Sequence, residues 1–475
     1  MSGTRRVAHA LAVALALASA TAAAEQSGET PTAPARRDAD ACAPRQFRWQ
    51  EDCRPGDARE LLIDRLRAIP LVDDNAFWLT LGGEYRFRVE SLDEPTFGLR
   101  PVDDYTAVDH RWFMHADLRS RAGPRLFLQL SAAAEDGREP RARPFDRSAL
   151  DLAQAFVDVP LTAGGGALLL RVGRQELDMH GNRLVSTREA ANLRRAFDIA
   201  FVSFTRGPVS FSAFAGRPVE NRAGAFDDRR DHHEQFRGGV LEVTAASASR
   251  SANTALFYFE RERARAVYAD FVGAERRRTA GIRHTRSSGA YDIALQAAYQ
   301  LGDAGPKQIR AYGLAGDVGL RQPQWPLQPR FGLSFGVASG DRHADDSRLN
   351  TFDVLYPNLG YFTDAPVFYP GNTTDLQPNL TVRLSTATTV QSGCDFIVRN
   401  ERADALYDPP GIPLARPVQS GADRAATLCY LKAQWRPSPH VEWSTAYVHG
   451  AVNAVLQSAG ARAADYWLAQ IALKL

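Results

Sequence analysis

The chain lacks long hydrophobic runs beyond its first residues. A helix that crosses a bilayer needs about 20 consecutive apolar residues. After the amino-terminal stretch no run approaches that length, and no long segment has the period of a helix. Hydrophobic residues still make up 44% of the chain, and the mean hydropathy is −0.31. The composition therefore excludes both a bundle of membrane-spanning helices and a disordered chain.

Cysteine and lysine are also scarce. The four cysteines show no CxxC or mixed His/Cys spacing, so the sequence predicts no zinc site. Cys42 and Cys53 lie in a polar segment and are predicted to close a small disulfide loop. Cys394 and Cys429 fall within predicted strands and are interpreted as small apolar side chains. Only three of the 57 basic residues are lysine. We attribute this bias to a GC-rich genome, so arginine content alone is not evidence of anion binding.

The amino terminus, residues 1–24, has the order of a secretory signal peptide. Arg5 and Arg6 precede a short apolar core, which an A-x-A-type cleavage site follows. We therefore predict that the protein is exported. Residues 25–76 are polar, contain proline and are rich in arginine and aspartate, and we interpret them as a periplasmic segment that precedes the main domain.

From Phe77 onward the sequence alternates between apolar and polar residues. Between Phe77 and Glu90, apolar side chains lie on one face and charged side chains on the other. The same period recurs to the carboxyl terminus, where one face carries Trp467, Ala469, Ile471, Leu473 and Leu475. Alternate side chains of a strand point to the same face. The pattern therefore predicts strands that each have an apolar and a polar side.

The predicted strands match a membrane barrel in length and in their connections. They exceed the roughly 5–6 residues usual in soluble sheets and match the about 9–11 residues with which a tilted strand crosses a bilayer. Long polar connections alternate with short turns, as expected for extracellular loops and periplasmic turns. For residues 77–475 we predict an all-β fold, a transmembrane antiparallel up-and-down β-barrel of about 18 strands. A soluble propeller would need blade repeats, which are not found.

The sequence also resembles a known family. The resemblance is carried by Gly173-Arg174-Gln175, Gly181, Arg183-Leu184-Val185, Asn192, Arg195, Phe197-Asp198, Ser339-Gly340-Asp341, Asn350-Thr351-Phe352-Asp353 and Asp404-Ala405-Leu406-Tyr407-Asp408-Pro409. In this order and spacing they are similar to the alginate export family of outer-membrane porins. The resemblance implies the outer membrane of a Gram-negative bacterium and an eighteen-stranded barrel with an arginine-lined constriction. In the family's characterised member, that pore passes alginate to the cell exterior. The chain departs from the usual aromatic last residue by ending in Leu475.

A polyuronate carries one carboxylate per sugar, and arginine pairs with carboxylates through two parallel hydrogen bonds. The candidate pore-lining arginines are Arg86, Arg88, Arg119, Arg125 and Arg171, together with Arg174 and Arg183 where the chain after Gly173 folds inward. The candidate counter-charges, which keep binding weak enough for release, are Glu84, Glu90, Asp117 and Asp158. Gln175 is a candidate for hydrogen bonds to hydroxyl groups. The alternative interpretation is a salt-bridge lattice that only stiffens the wall.

The favoured function is passage of an anionic polysaccharide, such as an alginate-like polyuronate, or of its fragments. The alternatives are a porin for small anionic solutes and a closed barrel that serves surface binding or envelope structure. The expected partners are outer-membrane lipid, the solute and periplasmic export components. We expect no catalytic residues, cofactor, metal or nucleic acid. Arg276-Arg277-Arg278 is interpreted as a loop edge near anionic headgroups.

Overall fold

The computed structural model describes residues 41–56, 65–72, 74–138, 143–179, 183–247, 250–409, 411–414 and 421–475. The predicted signal peptide lies outside these ranges. No helix among the described residues is long and apolar enough to span a membrane.

The fold consists of eighteen long strands. In chain order they are β1 Phe77–Asp93, β2 Tyr105–Ser120, β3 Arg125–Asp136, β4 Ser148–Ala163, β5 Gly166–Glu176, β6 Ala196–Arg206, β7 Val209–Glu220, β8 Glu234–Ser247, β9 Arg250–Val267, β10 Val272–Ser288, β11 Tyr291–Ala304, β12 Lys307–Arg321, β13 Arg330–Ala338, β14 Thr373–Arg383, β15 Thr388–Arg399, β16 Arg424–Ser438, β17 Val441–Val452 and β18 Ala464–Lys474. The one α-helix among the described residues is short, Ala454–Gln457.

Each strand pairs antiparallel with its neighbours in sequence, and the two ends of the sheet meet. Strand β1 pairs with β18 from Glu84 opposite Lys474 to Asp93 opposite Asp465. The closed ring leaves no strand edge exposed, which is the condition for a sheet in lipid. The predicted eighteen-stranded antiparallel barrel is confirmed.

The alternation of the sequence becomes an outward and an inward face. Outward side chains such as Met114, Val172 and Leu256 are 50–61% exposed. Inward charged side chains such as Arg88 and Arg277 are fully buried. An inward polar face can be buried only because other parts of the chain enter the lumen.

Three segments fill much of the lumen. Among the described residues they are the amino-terminal segment (residues 41–56), the β5–β6 loop (residues 177–179 and 183–195) and the β13–β14 loop (residues 339–372). In the β13–β14 loop, the ring of Tyr356 lies 5.1 Å from that of Phe197 and 4.7 Å from that of Phe236, both on the barrel wall. The hydrophobic core therefore lies inside the barrel, between the wall and its own loops.

Two disulfides are present. Cys42 and Cys53 are bonded within the amino-terminal segment, as predicted. Cys394 and Cys429 are also bonded, which corrects their interpretation as free apolar side chains. Strands β15 and β16 pair with these two cysteines directly opposite each other, 4.0 Å apart at Cα. The sequence placed both residues in strands but did not fix the register between them.

Two stretches expected to leave the sheet remain in it. Strand β5 does not break at Gly173 but continues to Glu176. Gly173 has φ of +135°, and a Cβ there would lie 2.1 Å from the carbonyl oxygen of Ala155, so only glycine lets the strand continue. Arg276-Arg277-Arg278 lies within β10 and not at a loop edge.

Candidate solute path through the barrel

The inward face of β1–β5 carries the arginine–carboxylate pattern that the sequence predicts. Arg88 lies 2.7 Å from Asp109, and Arg111 lies 2.6 Å from Glu84. Two of these four side chains, Glu84 and Arg88, are among the predicted candidates. On the same wall, predicted Arg171 donates a 2.7 Å hydrogen bond to predicted Asp158. Unpaired charges are costly at buried positions, so the pairs are the form in which such a wall is stable.

The arginines of this wall that lie toward the extracellular loops bind the β5–β6 loop. Arg86 donates to the carbonyl oxygen of Ala191 at 2.7 Å, and Arg88 to that of Ala190 at 2.6 Å. Arg111 donates at 2.6 Å to the Glu189 carboxylate of the same loop. Although burial opposes it, the guanidinium groups around Glu189 hold the pKa of its carboxyl well below its usual range. The loop thus presents an ionised carboxylate to the wall.

The arginines of this wall that lie toward the periplasmic turns bind the amino-terminal segment. Arg119 lies 2.6 Å from Asp52, and Arg125 donates to the carbonyl oxygen of Trp49 at 2.8 Å. Both arginines also pair with Asp117, at 2.9 and 2.7 Å. The guanidinium of Arg171 lies over the ring of Trp49, 4.7 Å from its centre. Predicted site residues therefore anchor a segment whose position in the lumen no sequence pattern indicates.

The two inserted segments touch each other. Arg194 of the β5–β6 loop donates to the carbonyl oxygen of Gln46 at 2.9 Å. Together the segments cover the β1–β5 wall from its loop end to its turn end. The predicted arginines of this wall are consequently engaged by protein groups in this structure.

The remaining predicted residues occupy separate places. Glu90 accepts a 2.6 Å hydrogen bond from Arg138, and Gln175 is buried on the inward side with weak bonds to backbone carbonyls. Arg183 enters the lumen, where its guanidinium lies 5.8 Å from the ring centre of Tyr361. Arg174 lies on the outward face beside Asp198, at 3.0 Å. Because β5 continues through Gly173, Arg174 faces the same side of the strand as Val172, two residues earlier, and that side is the outer one.

The wall formed by β11–β18 is less covered at its turn end. Arg321 is 39% exposed, Lys432 43% and Arg436 56%. Arg330 lies among the carboxylates of Asp292 and Asp317. The inward cations of this region, named here the vestibule, are Arg321, Arg330, Arg383, Lys432, Arg436 and Lys474.

The vestibule carries more positive than negative charge. Its carboxylates are Asp292, Asp317, Asp364 and Glu442, which pair with the cations, and Asp395, which accepts a 3.3 Å hydrogen bond from Gln377, so six cations face five carboxylates. The sequence pattern contained a signal for these cations, because Arg330 alternates with outward Phe331 and Leu333. They lie outside the predicted set, which covers the first strands and the family motif.

Glu51 makes the docking of the amino-terminal segment sensitive to pH. Burial raises the pKa of Glu51 from 4.5 to about 6, although the positive charges of Arg48 and Arg67 lower it. The docked state therefore binds a proton more readily than a released segment does, so docking is strongest at low pH and weakens as pH rises through about 6. Between pH 4 and 8 the docking equilibrium is expected to weaken about twentyfold. The docking equilibrium is measured at each pH by hydrogen exchange of the amides of residues 43–52, corrected for the pH dependence of the intrinsic exchange rates.

A Glu51→Gln variant is the control, because it keeps the hydrogen-bonding shape but cannot ionise. Its exchange protection is expected to be flat over the same pH range. Equal pH dependence in the two proteins would assign the effect to another group.

The geometry defines a class of protein. A closed eighteen-stranded barrel with an apolar outer face, long loops on one side and short turns on the other is the architecture of a Gram-negative outer-membrane protein. The alginate export family model matches residues 77–470, which identifies the protein as a channel and not an enzyme. The chain belongs to the alginate export family.

Solved structures with the same fold are outer-membrane proteins. Pseudomonas aeruginosa OccK5 (OpdH) aligns with a TM-score of 0.54 at 12% identity, covering 84% of this chain and 98% of that one. Acinetobacter baumannii OccAB3 aligns with a TM-score of 0.54 at 8% identity, covering 84% and 99%. At these identities the likeness establishes the fold alone. A comparison with curated proteins finds no match.

Proposed function

We propose that the barrel passes an anionic polysaccharide of the polyuronate type, or its fragments, along the vestibule. The carrying observation is the accessible positive charge of this wall at the periplasmic mouth. Arginine and lysine at several heights give a chain of carboxylates successive binding points. The interspersed aspartates keep each contact weak enough for the chain to move on.

Membership of the alginate export family supports the same proposal. Further into the lumen, Arg183, Tyr361 and Asp375 line a narrow cavity beneath the β13–β14 loop. The cavity measures only about 20 Å³, room for about one water molecule and not for a sugar ring, so it forms a constriction and not a binding site for the polymer. Components of an export system on the periplasmic side would deliver such a polymer to the vestibule.

A porin for small anionic solutes is the second candidate. It is favoured by the inserted segments, because they occupy the β1–β5 side of the lumen and leave a narrower path. The two candidates share the same cationic wall and differ in the size of what passes.

Efflux from liposomes separates the candidates. Vesicles containing the purified barrel are loaded with an oligouronate, with a neutral oligosaccharide of equal length, and with a small organic anion. The proposal expects the oligouronate to leave faster than the neutral oligomer. Retention of both oligomers with loss of the small anion would favour the second candidate, and retention of all three would indicate a closed barrel.

A further inference from the structure

A band of arginines lies on the outer wall of the barrel, away from the lumen. Its members are Arg174, Arg217, Arg230, Arg237, Arg276 and Arg278. The strand register places them in two adjacent rows across β5–β10. In one row, Glu260 lies between Arg237 and Arg278. In the other row, Asp198 lies between Arg174 and Arg217. Arg230 joins from the hairpin after β7, 3.6 Å from Asp198. The outward arginines are named here the arginine band.

The arginine band lies at the extracellular edge of the apolar belt. Arg237 and Arg278 are each about ten residues from the periplasmic end of their strands, the length with which a tilted strand crosses a bilayer. The next outward side chains toward the periplasm are apolar and exposed, for example Tyr258 and Leu256. The band is therefore level with the headgroups of the outer leaflet.

The band has more positive charges than its own carboxylates neutralise. Its acids are Asp198, Glu260 and Glu262, each shared by two arginines, and Asp151, which lies 3.8 Å from Arg174. Glu262 lies 3.4 Å from Arg237 and 3.2 Å from Arg276. Arg237 and Arg276 remain 47% and 45% exposed, so both keep donor groups for another anion.

The band borders an open groove of about 530 Å³. The floor of the groove is shallow because outward Ala200 and Ala215 lie opposite each other on β6 and β7. Arg174, Arg217 and Arg237 stand at its sides. The groove thus combines a floor of small side chains with guanidinium groups, at the height where sugars and phosphates of the outer leaflet lie.

The opposite wall shows that the band is not a general consequence of arginine-rich composition. At its extracellular edge, outward Asp93 pairs in register with Asp465, which in turn lies 2.9 Å from His449. One row nearer the periplasm, the outward side chains are Trp467 and Tyr447. This part of the opposite wall therefore shows no excess of positive charge at its extracellular edge.

We propose that the arginine band binds the phosphorylated glucosamine headgroup of lipopolysaccharide in the outer leaflet. Guanidinium groups pair with phosphate through two parallel hydrogen bonds, and they do so most strongly where water is partly excluded. The alanine floor admits a sugar ring beside the strands. The band would fix one face of the barrel against a bound lipid, independently of what passes through the lumen.

The test measures lipid binding by native mass spectrometry of the full-length barrel in mild detergent. The probes are bisphosphorylated lipid A, dephosphorylated lipid A and phosphatidylglycerol. The wild-type protein is expected to bind bisphosphorylated lipid A at least about tenfold more tightly than either other lipid. An R237Q/R278Q variant is expected to lose that preference.

The control is R402Q/R462Q, which removes the same charge from exposed extracellular loops and is expected to keep the preference. Heat-modifiable migration verifies that each variant has assembled. Equal wild-type affinity for phosphorylated and dephosphorylated lipid A would overturn the proposal without any variant. Equal affinity for phosphatidylglycerol would overturn recognition of the glucosamine headgroup, and full retention of the preference by R237Q/R278Q would overturn the location.

Discussion

Deleting residues 41–56 is expected to raise the single-channel conductance at least about twofold, because the segment occupies the lumen of a barrel whose width its strand number sets. Trp49 stacks under Arg171, Asp52 pairs with Arg119, and Gln46 meets the β5–β6 loop. Removing the segment uncovers Arg119, Arg125 and Arg171, while the β5–β6 loop still covers Arg86 and Arg88. Conductance in planar bilayers, at fixed salt, measures the change.

An R119Q/R125Q variant is the matched comparison, because it keeps the segment but removes two of its anchors. It is expected to switch between the conductance of the wild type and that of the deletion. If the deletion leaves conductance unchanged, the segment does not limit the path and the current flows along another wall.

Reversing the vestibule charge is expected to abolish polyuronate binding. An R321E/R383E/R436E variant replaces three accessible cations by carboxylates, so an approaching carboxylate meets repulsion instead of attraction. The concentration of oligouronate that half-blocks the channel is expected to rise at least about a hundredfold, since several charge contacts are lost together. Current block in planar bilayers provides the measurement.

The control for charge reversal is R342E/R402E/R462E, which changes the net charge equally at exposed loop positions. Its block by oligouronate is expected to stay near that of the wild type. A loss of block of the same size in both triple variants would show that net charge, and not the vestibule, governs binding.

The barrel could be predicted from sequence because its constraint is local. In a membrane barrel, each strand has apolar side chains on the face toward lipid and polar side chains on the face toward the lumen. Strands such as β1 and β18 can therefore be predicted from this alternation alone. The same rule placed Arg171 inward and Leu170 outward. It extends to Arg174, once β5 is known to continue through Gly173.

The contents of the lumen could not be predicted in the same way. The contacts of Trp49 with Arg171, and of Glu189 with Arg111, join residues far apart in sequence and follow no period. An inward arginine looks the same in sequence whether its partner is a solute, an inserted segment or a wall carboxylate. Burial distinguishes these cases, because the side chains of Arg321 and Lys432 are 39% and 43% exposed whereas Arg86 and Arg88 are buried.

The most direct test of the proposed channel function is the reversal potential of the wild-type protein in a planar bilayer under a salt gradient, followed by addition of oligouronate. We expect an anion-selective current that oligouronate blocks and a neutral oligosaccharide of equal length does not. A cation-selective current, or one indifferent to oligouronate, would contradict the proposal.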